Sequence, residues 1–473
     1  MGSPLRWGVD VTSVSCRGMR DHVADWLHRL RLPEPNARLV GIVVDAANAM
    51  RAGVTDTAGL CEAAGIQPDV YRRSFGSRDR FLTTVAGLIV DEELQICVNA
   101  FEVRARGAKT STDVARAIEN WMAEQLGGAP STSTDDFRRA CAVLWANDGS
   151  DVLAKSVEAE STRLAFTLRE WQGRWMARFD SDEITRAFLF VSMIAASWIL
   201  PMSKHIELLD TVARSFGENT ALDGPTRMLR ADSWYPDLRK TALHPAVPDF
   251  AAAAERLLDG HSSRMREVVA GVATELNNDP AQTIVIEKVC SAHGVSRKTI
   301  YDAAESLERF RFMCQATFLV GSLEAHVETM AMAHWIDSPS AAELALSDYL
   351  QRFAEDGGVD RRAIRIAALT TRTDFPEGAR LTSELESIES TLAAFISSLQ
   401  ARQLVSQRHS AEVIAYLLIL HTVSRSIADS CPTQLPNPAW GWEVDILFGD
   451  LLATTPESIF RHESAVPLVD ESS

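Results

Sequence analysis

The stretch SAHGVSRKTIYDAAESLERF, residues 291–310, contains the pattern that decides the fold. Its Gly294 can take the positive φ that ends a helix, and Ser296 is a good N-cap for a helix that follows. That following helix opens with two cations and a hydroxyl: Arg297, Lys298 and Thr299. The pattern predicts a helix-turn-helix, in which the N-terminal residues of the second helix face DNA.

A similar stretch, EAAGIQPDVYRRSFGSRDRF, occupies residues 62–81. The two stretches match at a constant displacement of 229 residues, which pairs Cys61 with Cys290, Gly65 with Gly294, Ser77 with Ser306 and Phe81 with Phe310. The same displacement relates ESTRLAF at 160–166 to ESTLAAF at 389–395. Several matches at one spacing indicate an internal duplication.

The duplication predicts two repeats of the same helical kind. Apolar residues recur at helical spacing, and the few Asp-Gly pairs are not flanked by alternating runs, so the predicted fold class is all-α. The predicted boundaries are 1–230 for the first repeat, 231–248 for a linker and 249–473 for the second repeat, with helix-turn-helix units at about 38–82 and 264–310.

Charge and hydropathy limit the classes of partner. The net charge of −17, from 47 Lys plus Arg against 64 Asp plus Glu, argues against diffuse binding to nucleic acid or anionic membrane. The longest apolar run, at 187–202, is shorter than the ~20 residues that span a bilayer, and it predicts a buried helix. Scattered cysteines without a Cys-x-x-Cys pair, and an N-terminus without the apolar core of a signal peptide, predict a cytoplasmic protein.

The helix-turn-helix of the second repeat resembles the TetR family of bacterial transcriptional regulators. The family pattern of Ala-Gly-Val-Ser, three variable residues, an aliphatic residue and Tyr is matched by Gly294, Val295, Ser296, Thr299, Ile300 and Tyr301. Two positions depart from it. Ala304 stands where the family has Phe, and Leu307 stands where it usually has a Lys that contacts phosphate.

The first repeat resembles the same family at Ala64, Gly65, Ile66, Phe75, Ser77, Arg78 and Phe81. Its Gln67 replaces the capping Ser, and Pro68 suits a first helical position. Asp69 brings a negative charge to the place where a phosphate or base edge would lie, while Arg72 occupies the Tyr position. The residues that the resemblance assigns to DNA in the two repeats are Gln67, Arg72, Arg73, Arg78, Ser296, Arg297, Lys298, Thr299 and Tyr301.

Resemblance to this family implies a ligand-responsive, DNA-binding transcriptional regulator, either repressor or activator. Family members form dimers through a bundle of their last two long helices. The resemblance places the corresponding helices of this chain at 183–201 and 208–216 and at 412–429 and 442–452. We expect the two repeats of this chain to pair with each other as an intrachain pseudo-dimer, in which the two helix-turn-helix units are not identical. Such a molecule would read an asymmetric operator in double-stranded DNA.

A sensor region is implied by the resemblance and by the aromatic content of the first repeat. Its candidate pocket residues are Trp121, Trp145, Phe166, Trp171, Trp175 and Phe190, which suit a small apolar or aromatic effector. Packing in the core is the alternative for each of them.

Two further classes of function are weighed. A degenerate relative that has lost DNA binding would act as a ligand-binding or protein-interaction module. An enzyme is not expected, because the sequence contains no Walker loop, Gly-x-Gly-x-x-Gly, His-Glu-x-x-His or Gly-x-Ser-x-Gly motif. We assign no metal and no cofactor.

Overall fold

A computed structural model describes residues 16–30, 37–109, 111–127, 132–147, 149–175, 183–200, 250–278, 284–331, 341–342, 362–372, 374–405, 407 and 410–429. The regular structure in these ranges is α-helical throughout and contains no strand, which confirms the all-α prediction. No helix in the described ranges is long and apolar enough to cross a membrane. The linker at 231–248 and the predicted helices at 208–216 and 442–452 lie outside the described residues.

The described helices fall on either side of residues 201–249, and we call the two groups the first half and the second half. Those of the first half are α1 (Cys16–Arg29), α2 (Ala37–Arg51), α3 (Thr57–Ala63), α4 (Pro68–Phe75), α5 (Arg78–Arg106), α6 (Ser111–Gly127), α7 (Thr132–Ala146), α8 (Ser150–Trp175) and α9 (Glu183–Ile199). Those of the second half are α10 (Phe250–Leu257), α11 (Ser263–Asn278), α12 (Ile286–His293), α13 (Arg297–Ala304), α14 (Leu307–Ala331), α15 (Arg362–Thr370), α16 (Pro376–Ala401) and α17 (Ala411–Asp429).

In each half, two short helices precede a long one: α3 and α4 precede α5, and α12 and α13 precede α14. We call α3–α4 the first head and α12–α13 the second head. The corner of each head is a glycine in the left-handed region, Gly65 with φ 62° and Gly294 with φ 61°. The Ser296 hydroxyl accepts a hydrogen bond of 3.0 Å from the Thr299 backbone N–H, so it caps α13 as predicted. Pro68 is the first residue of α4, also as predicted.

The heads are held to the long helices by buried side chains at equivalent positions. In the first head Tyr71 and Phe75 pack on Phe81 of α5, with ring centroids 5.6 Å and 5.0 Å away. In the second head the smaller Ile300 and Ala304 are buried, and α14 buries Phe310 at the place of Phe81. Both heads therefore bury one face of their second helix and leave the other to solvent.

A buried carboxylate joins the long helix α14, which follows the second head, to α16. Glu377, at the start of α16, accepts hydrogen bonds from Arg309 of α14 at 2.8 and 3.0 Å and contacts His261 at 2.9 Å. Burial alone would raise the pKa of Glu377, but the hydrogen bonds from Arg309 and His261 outweigh it and lower this pKa to about 2. This contact stabilises the fold above the ordinary carboxyl pKa and is lost as the pH falls towards about 2.

The two halves meet through helices that occupy equivalent places in their own halves. Helix α9 packs against α17, and α7 packs against α15. The Ser192 and Ser424 hydroxyls hydrogen-bond across the first of these contacts at 2.9 Å, and both serines are buried. The prediction of a buried helix in the run at 187–202 is confirmed for α9, whose described side chains from Ala187 onward are buried.

A buried arginine reinforces the second contact between the halves. The guanidinium of Arg365, on α15, lies 5.0 Å from the ring of Trp145 on α7 and 4.8 Å from the ring of Phe318 on α14. Only 4% of Arg365 is exposed, so the cation–π contacts form in a region that water barely reaches, where they are strongest. The packing of α7 on α15 is therefore polar as well as apolar.

The two heads end their second helices differently. Gly76 follows α4 with φ 82° and ψ −41°, whereas the equivalent residue after α13, Glu305, has φ 62° and ψ −35°. A side chain in this region costs roughly 1–2 kcal/mol, which glycine avoids. Glu305 is exposed and pairs with Arg309 at 3.0 Å, a surface contact that contributes little.

We expect Glu305→Gly to raise the free energy of unfolding by roughly 0.5–1 kcal/mol, because relief of the backbone strain exceeds the entropy that glycine adds to the unfolded chain. Urea unfolding at pH 7 measures this. Glu305→Ala is the control, since it removes the same ion pair and keeps the strained side chain. Equal stability of the Gly and Ala variants would contradict a strained backbone at this position.

Candidate nucleic-acid interface

The first head presents an exposed face with two arginines. Tyr71 and Phe75 turn inward, while Arg72 and Arg73 between them are exposed in the last turn of α4. Neither arginine forms an ion pair with a described side chain, so both guanidinium groups are available to an anion. Gln67, the N-cap of α4, is exposed and makes no capping hydrogen bond through its side chain.

Arg78 has a structural role beside its predicted contact. It is exposed at the start of α5, and its Nε donates a hydrogen bond of 2.8 Å to the Thr57 hydroxyl at the start of α3. This bond ties the first helix of the head to the long helix. Four guanidinium N–H donors remain for a phosphate, because one of the five that an arginine carries is used.

The second head presents its predicted residues on the surface as well. Ser296, Arg297, Lys298, Thr299 and Tyr301 are all exposed, and Tyr301 retains 41% of its surface. They occupy the N-cap and the first turn and a half of α13, while Ile300 between them is buried. The helix thus separates its polar residues from its apolar anchor as the sequence pattern predicts.

An ion pair that sequence reasoning missed reduces the charge of the second head. The Arg297 guanidinium lies 2.9 Å from the Glu287 carboxylate on α12, and both side chains are more than half exposed. Arg297 and Glu287 stand ten positions apart on different helices, so only the crossing of α12 and α13 brings them together. Leu307, at the family's lysine position, is half-buried against the core and offers no charge to replace the lost one.

The heads therefore differ in electrostatic character. The first offers Arg72 and Arg73, which pair with no described side chain, beside the exposed Glu62. The second offers Lys288 and Lys298 and an Arg297 that is paired with Glu287, beside the exposed Asp302. A phosphate backbone binds to positive charge, so the two arginines of the first head and the two lysines of the second are the candidate anion contacts. The side chain of Asp69, whose negative charge is expected to disfavour a contact with DNA, lies outside the described residues.

The candidate pocket residues separate into packed, exposed and undescribed groups. Trp121 and Phe190 are buried with ring centroids 6.3 Å apart, and the Trp121 indole donates to the Cys97 carbonyl at 3.0 Å. Trp145 instead holds Arg365 at the contact between the halves, while Phe166 is 63% exposed on the surface. The side chains of Trp171 and Trp175 lie outside the described residues. Trp121 and Phe190 thus pack in the core of the first half.

No family model matches the chain, and a search of curated proteins found no relative.

We expect Gln67→Ser to stabilise the protein by about 0.5–1 kcal/mol, because serine would accept the N-terminal hydrogen bond of α4 that glutamine leaves unmade. Thermal unfolding followed by circular dichroism measures it. Ser296→Ala provides the matched opposite, since removing the existing cap of α13 should cost about 1 kcal/mol. A Gln67→Ser variant that is less stable than the natural chain would contradict the structure described for this corner.

Proposed function

We propose that this chain is a DNA-binding transcriptional regulator of the TetR type, responsive to a ligand, which reads an asymmetric operator as a single-chain pseudo-dimer. The observation that carries the proposal is the division of α4 and α13 into a buried apolar face and an exposed face with Arg72, Arg73, Arg297 and Lys298. A reading head requires exposed polar and cationic side chains on a helix that is anchored by its opposite face. Arg297 and Lys298 stand at the start of α13, whereas Arg72 and Arg73 stand in the last turn of α4.

Packing between the halves supports the pseudo-dimer. In a two-fold interface each element meets its own counterpart, because the same patch is used on both sides. The pairs α9 with α17 and α7 with α15 follow that rule, since each joins a helix to the one in the equivalent place. Two-fold dimers of this kind separate their heads by about 34–36 Å, one turn of DNA.

The difference between the heads supports an asymmetric operator. Gln67, Arg72 and Arg73 face one half-site, whereas Ser296, Thr299 and Tyr301 face the other, so the two base sequences read are not the same. A ligand would act by binding better to one arrangement of the heads than to the other, since only differential affinity shifts such an equilibrium.

The alternative function, a relative that has lost DNA binding and works as a ligand-binding or protein-interaction module, is favoured by one specific observation. The pairing of Arg297 with Glu287 leaves Lys288 and Lys298 as the other cations of the second head, while Glu62 and Asp69 offset Arg72 and Arg73 in the first. In a chain with a net charge of −17, neither head then carries a large excess of positive charge for phosphate.

The experiment is a gel shift on DNA flanking the gene for this chain, at several salt concentrations. Binding should weaken with salt, and Arg72→Gln combined with Arg73→Gln should make the slope of log K against log salt shallower by about 2. The same double variant should weaken binding at least roughly tenfold near 0.1 M salt.

Arg116→Gln is the control, because Arg116 is exposed on α6, which packs against α5 and α9 instead of a head. Its binding and salt slope should equal those of the natural chain. No shift at low salt would favour the alternative module. If the double variant of Arg72 and Arg73 binds DNA as tightly as the natural chain, the first head does not contact DNA.

A further inference from the structure

Two of the exposed polar side chains at the start of α13 are engaged with each other. The Ser296 hydroxyl accepts a hydrogen bond of 3.0 Å from the Thr299 backbone N–H and lies 2.8 Å from the Thr299 hydroxyl, so these two hydroxyls bond within the head. Lys298 is exposed, but its ammonium binds as a point charge and lacks the planar fork that matches a base edge. Arg297 is therefore the residue of this turn that is best equipped to read a base.

The ion pair between Arg297 and Glu287 uses only part of the guanidinium. One carboxylate oxygen, Oε1 of Glu287, lies 2.9 Å from one terminal nitrogen, Nη2 of Arg297. In the body of the first half, by contrast, Arg29 places two nitrogens on the Asp91 carboxylate, at 3.1 and 2.6 Å. A contact at one nitrogen leaves a whole edge of the Arg297 guanidinium, with two parallel N–H donors, open to a second partner.

The open edge of Arg297 suits a guanine better than a phosphate. Two parallel N–H donors fit the O6 and N7 acceptors that guanine presents together in the major groove. A phosphate accepts from such an edge as well, but it is an anion and is repelled by the nearby Glu287 carboxylate, whereas the guanine edge carries no net charge. The carboxylate also holds the guanidinium before DNA arrives, so less side-chain freedom is lost on binding.

Both members of this pair belong to the second head alone. At the displacement of 229 residues, Ala58 stands at the place of Glu287 and Pro68 stands at the place of Arg297. Neither alanine nor proline has a polar side chain, so the first head can form no equivalent pair. A base that Arg297 reads is therefore a requirement of one half-site and not of the other.

We propose that Glu287 is a positioning residue, which directs Arg297 to a guanine in the half-site of the second head. The inference rests on the proposed function and adds one base of the operator to it. Glu287 contacts no base itself and acts through the guanidinium that it holds. The pair is weak in the free protein because both side chains are more than half exposed, and it strengthens when the groove excludes water around it.

Loss of the Glu287 charge should affect specific and non-specific binding in opposite directions. Glu287→Gln should raise the affinity for unrelated DNA about two- to threefold at low salt, because one negative charge beside the phosphates is removed. The preference for guanine should fall several-fold, because Arg297 is then free to bind a phosphate instead. An ion pair that only masks charge would instead raise the affinity for every sequence alike.

The test is selection of bound duplexes from a randomised DNA pool by the full chain, followed by affinity measurements on the selected site and its single-base variants. Arg297→Lys keeps the positive charge and lacks the fork, so the position at which it loses a guanine preference is the base that Arg297 reads. At that position the natural chain should prefer guanine by at least roughly tenfold, and Glu287→Gln should prefer it by less than about threefold.

Glu267→Gln is the matched control. Glu267 pairs with Arg264 on α11 at 3.0 Å, and both side chains are more than half exposed, so the substitution removes the same charge from a similar ion pair. The guanine preference of this variant should equal that of the natural chain.

The outcomes separate this inference from the proposed function. A natural chain that enriches no sequence and binds no DNA at low salt would overturn both. A natural chain that selects a site, but whose guanine preference survives in Glu287→Gln, would overturn the inference alone. So would a selected site at which Arg297→Lys loses no guanine preference, or an equal rise in affinity for all sequences in Glu287→Gln.

Discussion

The packing of α9 against α17 is the contact on which the rest of the structure depends. Both helices are apolar around most of their circumference, so neither can be covered by its own half alone. Each lies on the body of its own half, α9 on α8 and α17 on α16, and gives its remaining surface to the other. The Ser192–Ser424 hydrogen bond gives the buried Ser424 hydroxyl a partner between the halves, while the Ser192 hydroxyl also donates to the Phe188 carbonyl at 2.6 Å.

Local features of the heads could be predicted from the sequence because their causes are local. A glycine with positive φ, a serine cap and a proline at a first helical position depend on residues one to four places away, so Gly294, Ser296 and Pro68 behave as expected. Partners that come from distant helices could not be predicted. Arg297 meets Glu287 through the crossing of two helices, and Arg365 meets Trp145 only because the halves pack together.

The aromatic content of the first half did not predict which aromatic side chains are buried, because burial depends on the face of the helix on which each residue lies. Trp121 and Phe190 point into the core, whereas Phe166 points to solvent, although all three belong to the same predicted group. A count of aromatic residues ignores the face on which each one lies, and the 3.6-residue period of a helix decides that face. The strained Glu305 was missed for a similar reason, because the short-range pattern of the second head contains no glycine to mark the turn.

The two halves have kept one frame and diverged in polar detail. The first half retains unpaired arginines on its head and an arginine for its buried Glu160, whereas the second has an Arg297 paired with Glu287 and no described ion pair at Glu389. Such a division of labour is open to a duplicated chain, since one half can change while the other preserves the original contact.

The most direct measurement of the central claim, that equivalent helices of the two halves pair within one chain, is disulfide trapping of α9 on α17. Ser192→Cys combined with Ser424→Cys should oxidise to a disulfide inside a single chain, because the two hydroxyl oxygens lie 2.9 Å apart. Peptide mapping by mass spectrometry under non-reducing conditions identifies that bond. Ser197→Cys with Ser424→Cys should remain reduced, since five residues move the partner about 7.5 Å along the helix. Free thiols in the first variant, or a bond that links two separate chains, would contradict the account.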